Sequence, residues 1–245
     1  MRFQRFCYLA ALTAFVGASL ATADEKLDKI EKEVAAKWKS VKTMTGKMHM
    51  NMSMEQAGSK MSNSMEATVQ YMRKGDKMMS RMEGTMKMTM GEQTMEMPMV
   101  AVSDGEISHQ LIEQMGQKMC IKTKADSKET VGEEMFKSLR EYNNITVLPD
   151  EDVDGDKCWV FEATPKQPES PREPSKTKYY IRQKDAAMVK MVGFDPSGKE
   201  FMTVTTTDIK YNEKLDPALF DFKVPEGVPV RDMTGGAGGA GGETP

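Results

Sequence analysis

The sequence predicts an α+β fold that is mostly β: an incomplete, half-open antiparallel β-barrel with a helical lid. Three observations predict it. Methionine fills 25 of 245 positions, and 17 of the 25 lie between Met44 and Met99, largely at every second residue, which is the period of a strand. Short alternating segments divided by turn signals run on to Lys124 and resume from Ile145 to Tyr211, the pattern of an antiparallel meander. Two amphipathic helical segments, one before the strands and one among them, carry apolar faces that need a sheet to lie on. Strands alone do not seal the interior of such a barrel, so the helices are expected over its mouth.

Taken in order, Arg2 and Arg5 precede an apolar stretch from Phe6 to Leu20, and Ala21-Thr22-Ala23 supplies the small residues that a signal peptidase reads. Residues 1–23 therefore read as a secretory signal peptide cleaved after Ala23. The stretch is shorter than the roughly 20 apolar residues of a membrane span, and no later segment approaches that length. Cys7 leaves with the signal, and loss of Arg2 and Arg5 moves the formal charge from −3 to −5. A mildly acidic surface excludes the usual electrostatic footprint of nucleic-acid binding. The remaining 222 residues, 24–245, suffice for one substantial domain, expected over 24–232, with a disordered Gly-rich tail at 233–245.

From Asp24 to Val41 the apolar residues Leu27, Ile30, Val34 and Trp38 recur at three- and four-residue steps, which defines the lid helix and its buried face. The strands that follow place the even positions of Met44–Glu55 on one face, and the odd positions Met65, Ala67, Val69 and Tyr71 likewise. Turns are expected at Gln56-Ala57-Gly58-Ser59, Lys74-Gly75-Asp76, Gly91-Glu92 and Ser103-Asp104-Gly105-Glu106. A second helix is expected over Ser127–Tyr142, with Val131, Met135, Leu139 and Tyr142 on one side and Asp126 with Glu129 as a capping box. Strands resume at Ile145–Leu148 and Cys158–Ala163, and a Pro-rich flap spans Pro165–Lys178. The last strands are Tyr179–Gln183, Met188–Phe194 and Phe201–Tyr211.

The chemistry-bearing residues are few. Met48, Met50, Met52, Met54, Met65, Val69, Met86, Met88, Met90, Met95, Met97 and Met99 form one candidate wall. A thioether face can receive flexible apolar ligands, pack as an ordinary core, or present sulfur to a soft metal such as Cu(I), and all three readings remain open at this level. His49 has the opposite parity to Met48 and Met50, which sets it on the other face, and Lys47, Lys87 and Lys118 read as solvent-face residues. His49 and His109 show no metal-ligand spacing, and His109 reads as an exposed strand residue. Asp150–Asp156 has the composition of a calcium loop but lacks the glutamate at the twelfth position, so it reads as a solvated acidic turn. No catalytic constellation, metal site or cofactor is assigned. Cys120 and Cys158, an even pair in an oxidising compartment without CxxC spacing, are expected to form a disulfide.

Three segments carry a family resemblance. Leu215-Asp216-Pro217-Ala218-Leu219-Phe220-Asp221-Phe222-Lys223-Val224-Pro225-Glu226-Gly227-Val228-Pro229-Val230 is similar to a phenylalanine-rich closing strand that runs into Pro-x-Gly-Val, Val102-Ser103-Asp104-Gly105-Glu106 to a Ser-Asp-Gly hairpin turn, and Asp156–Lys166 to a strand ending in Thr-Pro-Lys. Taken in their order along the chain they resemble the outer-membrane lipoprotein carriers, the LolA-like proteins. The resemblance implies a half-barrel under a helical lid whose cavity takes up acyl chains of lipoproteins or lipids in the periplasm. It implies no catalysis, an inner-membrane donor and an outer-membrane acceptor as partner proteins, and, by similarity of Arg73-Lys74-Gly75-Asp76-Lys77 to the family's lid-holding arginine context, a lid contact at Arg73. Related members act as envelope sensors of lipid or lipoprotein, so the fold does not fix the cargo. The methionine content departs from the aliphatic and aromatic lining usual in that family.

Overall fold

A computed structural model describes residues 23–56, 59–75, 77–125, 133–167 and 174–235. Helix α1 spans Ala23–Lys39 and is followed by β1 (Thr43–Gln56), β2 (Ser59–Lys74), β3 (Lys77–Met90), β4 (Gln93–Ser103), β5 (Ile107–Gln114) and β6 (Gln117–Lys124). Helix α2 (Glu133–Tyr142) then precedes β7 (Asn143–Val153), β8 (Asp156–Pro165), β9 (Lys176–Arg182), β10 (Met188–Phe194) and β11 (Glu200–Tyr211). A 3-10 turn at Pro217–Phe220 and a short β12 (Val230–Asp232) complete the order. All the strands belong to one 12-stranded sheet in the order β12-β6-β5-β4-β3-β2-β1-β11-β10-β9-β8-β7. Every pairing is antiparallel except β12 with β6. The sheet does not close, so the half-open architecture expected from the sequence is present.

Periodicity explains α1. Leu27, Ile30, Val34 and Trp38 are all buried, and they meet Phe161 of β8, Ile181 of β9, Val69 of β2 and Met44 of β1 in the main core. Each fully buried aliphatic or aromatic side chain contributes about 1.5–3 kcal/mol relative to exposure. Phe161 lies between Phe136 and Tyr179, with ring centroids 5.5 and 5.0 Å apart. The helix is anchored at both ends. Lys26 donates to the Leu148 carbonyl at 3.2 Å, the Trp38 indole donates to the Ala186 carbonyl at 3.0 Å, and Lys37 donates to the Gln183 carbonyl. Arg140 of α2 joins the helices through Glu31 and Asp28, each at 2.5 Å.

Several expectations change. The buried residue of α2 is Phe136, flanked by Met135 and Leu139, while Tyr142 is exposed. The capping box and Val131 fall outside the described residues, as do Ala57-Gly58, Asp76, the middle of the Pro-rich flap, the signal peptide up to Thr22 and the tail from residue 236. The expected closing strand is not a strand of the barrel. Pro217, Pro225 and Pro229 lack ladder donors, and the segment instead crosses the face of β3–β6 opposite the methionines before pairing with the edge of β6. Along this strap Phe220 is buried, Arg81 donates to the Leu219 carbonyl at 3.3 Å, and Phe222 stacks on His109 with centroids 5.2 Å apart. His109 is therefore half-buried under the strap rather than an exposed strand residue.

The expected disulfide is absent. Cys120 and Cys158 are both free and buried, on strands near opposite ends of the sheet order. Each packs as a small apolar side chain: Cys158 with Val160, Tyr180 and Val192 in a second core, and Cys120 on the strap-covered side of β6, where its backbone N–H donates to the Pro229 carbonyl at 2.9 Å.

Candidate functional site

Residues directly opposite in an antiparallel pair share a face with α-carbons about 4.5–5.5 Å apart. The pairing register therefore turns each alternating run into rows across the sheet. Met50, Met65, Met86 and Met97 form one continuous row over β1–β4, prolonged by Val204 of β11 and Met191 of β10. The next row reads Met202, Met52, Asn63, Met88, Met95, and the outermost Met54, Met61, Met90. Toward the helices lie Met48, Ala67, Gly84 and Met99, then Val69 and Met82. All twelve expected wall residues thus share one face.

Burial grades along this face. Met65, Met97 and Met99 are 6, 9 and 5% exposed, whereas Met90 at the hairpin end is 55% exposed. Met50, Met52, Met54, Met86, Met88 and Met95 are half-buried. Helix α1 covers only the inner end of this face. It lies over β8–β9 and the near ends of β1 and β2, where Met44 and Val69 enter its core with Met48 and Met82 beside them. Met65, Ala67 and Met99, with Met48, Met50, Met82 and Met86 around them, form a separate thioether cluster beyond the helix. The lid residues and the wall residues therefore meet along the Met44–Met48–Val69–Met82 margin.

Arg73 lies at the C-terminal end of α1. Its Nε donates to the Val41 carbonyl at 3.3 Å and its Nη2 to the Trp38 carbonyl at 3.4 Å, which ties β2 to the last turn of α1 and the segment just after it, at the end where a helix favours a cation. Beneath the same end, Trp38 meets Tyr211 edge-on with centroids 6.0 Å apart. Burial raises the Tyr211 phenol well above its usual range, aided by Asp185 and opposed by Arg182.

Outside the part covered by the strap, the opposite face is polar and ion-paired. Lys47 pairs with Asp208 at 2.8 Å, Lys87 with Glu96 at 2.9 Å and Lys118 with Glu113 at 3.7 Å. The hydrogen bond to Asp208, with its charge, raises the Lys47 ammonium, and Glu96 acts likewise on Lys87. His49 also faces this side, 4.0 Å from Glu66, so it cannot complete a thioether site on the methionine face. The acidic run of β7–β8 is taken up in pairs, Asp150 with Lys26 and Lys157, Glu151 with Lys178, and Asp156 with Arg182 and Lys184. Among the described residues no group of three or more His, Cys, Asp or Glu side chains could hold a metal ion, and no helix is long and apolar enough to cross a membrane.

A cavity of about 500 Å³ lies at the far end of β1–β3 and β11. Most of its lining, Asn51, Ser53, Ser62, Ser64, Lys87, Thr89, Phe201 and Thr203, has the parity of the face opposite the methionines, so the cavity opens on the polar side of the sheet, where Met202, Met52 and Asn63 only border it. Sequence parity passed over Asn63, Met61, Met82 and Met202 as wall members, although each shares the parity of a neighbouring wall residue on its strand or faces one in the register.

The fold and this face define a class: an open antiparallel half-barrel with helices on one half of a face and, on the other, an apolar surface that no described element covers. A structure of a conserved protein from Thermus thermophilus, described as uncharacterized, is similar at a TM-score of 0.53, with 10% identity over 84% of this chain and 99% of that one. The likeness is one of fold. A LolA superfamily protein from Nitrosomonas europaea aligns at a TM-score of 0.31 with 11% identity over 82% of this chain and 97% of its own. The Mycobacterium tuberculosis lipoprotein LppX aligns at 0.41 with 12% identity over 79% and 98%. One family model, described as "-like: Uncharacterized protein", matches residues 126–219. No curated protein matches the chain in sequence.

Proposed function

We propose that the protein is an exported carrier or binding protein that takes up acyl chains of lipoproteins or lipids on its methionine face, beneath and beside the α1–α2 lid. Residues 24–232 form the carrier unit and 233–245 a Gly-rich tail, released into the periplasm after cleavage behind Ala23. The supporting observation is the graded face: rows of half-buried methionines continue from a packed core into a surface that no described element covers. A core alone would gain uniqueness from Val, Ile and Leu, whereas a wall that re-packs around variable chains gains from Met. Each CH₂ buried contributes about 0.8 kcal/mol, so a chain of about ten methylenes supplies several kcal/mol after ordering costs. Arg73 holds the lid helix by its carbonyl end. Such a site performs no covalent chemistry. Its partners are the acylated cargo and the donor and acceptor proteins that load and unload it.

Met50→Glu and Met88→Glu test this. Both sites are half-buried on the face, so a buried carboxylate there should weaken binding of an acyl probe by at least about tenfold while circular dichroism stays native. Mass spectrometry of material co-purified from native envelope should show acylated species. Full acyl binding by both variants would remove the face from the binding site.

A further inference from the structure

Asn63 stands at the centre of a block of thioethers on the methionine face. Its register partners are Met52 on β1 and Met88 on β3, Met61 and Met65 precede and follow it on the same face of β2, and the four diagonal positions are methionines as well. Three adjacent strands thus set eight sulfurs around one amide. The Asn63 Oδ1 is buried and accepts no hydrogen bond. Its NH₂ group can give weak N–H···S bonds to its neighbours, but a methionine side chain has no donor to return to the oxygen. The backbone amides around it belong to the ladders with β1 and β3. What the block presents is therefore a set of lone pairs, and the partner that suits lone pairs without donors is a cation. The block contains no carboxylate, so a divalent ion would keep both of its charges unneutralised, whereas neutral thioethers are the soft donors that select Cu(I). Reach is also met. Met52 and Met88 lie two strand spacings apart, about 10 Å between α-carbons, and their flexible side chains can converge over β2, where the shorter Asn63 lies between them. Met52, Met61, Asn63 and Met88 are all half-buried, open enough for an ion to enter and covered enough to strip its water.

We infer that this block is a site for a soft monovalent metal ion of the Cu(I) class, coordinated by the sulfurs of Met52, Met61 and Met88 with the Asn63 amide oxygen directed at the ion. Methionines two apart on one strand stand about 6.5–7 Å apart and cannot share an ion by themselves; the register supplies the ligands from three neighbouring strands. The inference does not depend on the acyl-binding reading. It uses the lone pairs on sulfur, whereas acyl binding uses only the apolar surface that the same side chains make.

Cu(I), kept reduced by ascorbate without oxygen and offered as its coloured bicinchoninate complex, provides the test, with loss of that colour as the readout. The wild-type chain should withdraw about one equivalent of the ion. Met52→Leu/Met88→Leu removes two sulfurs and keeps the apolar bulk, a swap that packed faces tolerate. It should weaken Cu(I) binding by at least about tenfold, while circular dichroism stays native and binding of an acyl probe stays within about twofold of wild type. Asn63→Leu, which takes away the oxygen alone, should weaken Cu(I) about threefold. A wild type that does not compete with the dye overturns the inference. So does equal retention of the ion by the double variant, which would give it to Cys120 or Cys158 instead. Unchanged affinity in Asn63→Leu would overturn the part assigned to the oxygen. If the wild type takes Cu(I) but no acyl probe, the acyl reading falls and the metal site stands.

Discussion

Cys120 and Cys158 illustrate how residue type and compartment can point to a bond that packing does not make. Both side chains are fully buried, and burial raises each thiol above its ordinary range, with Arg182 partly opposing this at Cys158. A raised pKa leaves less thiolate at a given pH, and the thiolate is the reactive species. Iodoacetamide at about pH 8 should therefore leave both cysteines of the native protein unmodified and alkylate both in denaturant without prior reduction. Intact-mass spectrometry reads the result, and a Cys120–Cys158 disulfide-linked peptide in a non-reduced digest would contradict the fold described. The same scale shows what sequence could reach. The methionine wall was legible because parity alone assigns a strand residue to a face. The unpaired state of Asn63 was not, because it depends on what stands opposite in β1 and β3.

At the scale of elements, Gly84 of β3 sits against the backbone of β2 with no room for a side chain. A β-carbon there would stand 2.1 Å from the Glu66 carbonyl oxygen and 2.6 Å from the Ala67 β-carbon. Both contacts involve β2 at its backbone or its first side-chain atom, so no flexible side chain can move aside. Gly84→Ala should destabilise the protein by about 1–3 kcal/mol, seen as a lower urea midpoint with an unchanged slope, and wild-type stability would show that the strands can separate there freely. Helix α1 was readable because Leu27, Ile30, Val34 and Trp38 keep the helical step. The face of α2 was not, since Phe136 and Tyr142 compete for the buried side and only the packing of Phe136 on Phe161 decides it. The segment Leu215–Val230 misled through its aromatic residues: its prolines exclude a barrel strand, and Phe220 and Phe222 instead pack on the back of the sheet.

For the whole molecule, local pattern gave the count and sense of most strands but not their order. Alternation does not say that β11 returns beside β1, a pairing in the middle of the sheet that joins its N-terminal and C-terminal strands through Met50–Val204 and Met52–Met202. That order leaves the helices on the β7–β9 half, the methionines on β1–β4, and the C-terminal strap holding the back of β3–β6. The strap's end is tied electrostatically. Asp232 accepts from the Thr234 hydroxyl and backbone N–H and pairs with Lys122 at 3.1 Å, and these bonds to Thr234, then Lys122, hold its carboxyl down at about 2. A carboxyl depressed in the folded state stabilises that state above its unfolded value, roughly 3.9, and the contribution disappears as pH falls through the folded value. Between about pH 4 and about pH 2 the strap should therefore loosen at β12. The Cys120 and Met233 amides, which donate to the Pro229 and Lys122 carbonyls at 2.9 and 2.7 Å, should shift toward their unbonded resonances in NMR spectra over that interval. Asp232→Asn should already show the loosened position at neutral pH and respond little to acid. If the two amides kept their shifts in both proteins down to about pH 2, the prolines and Phe220 alone would be holding the strap, and the ion pair would have no part in closing the back of the half-barrel.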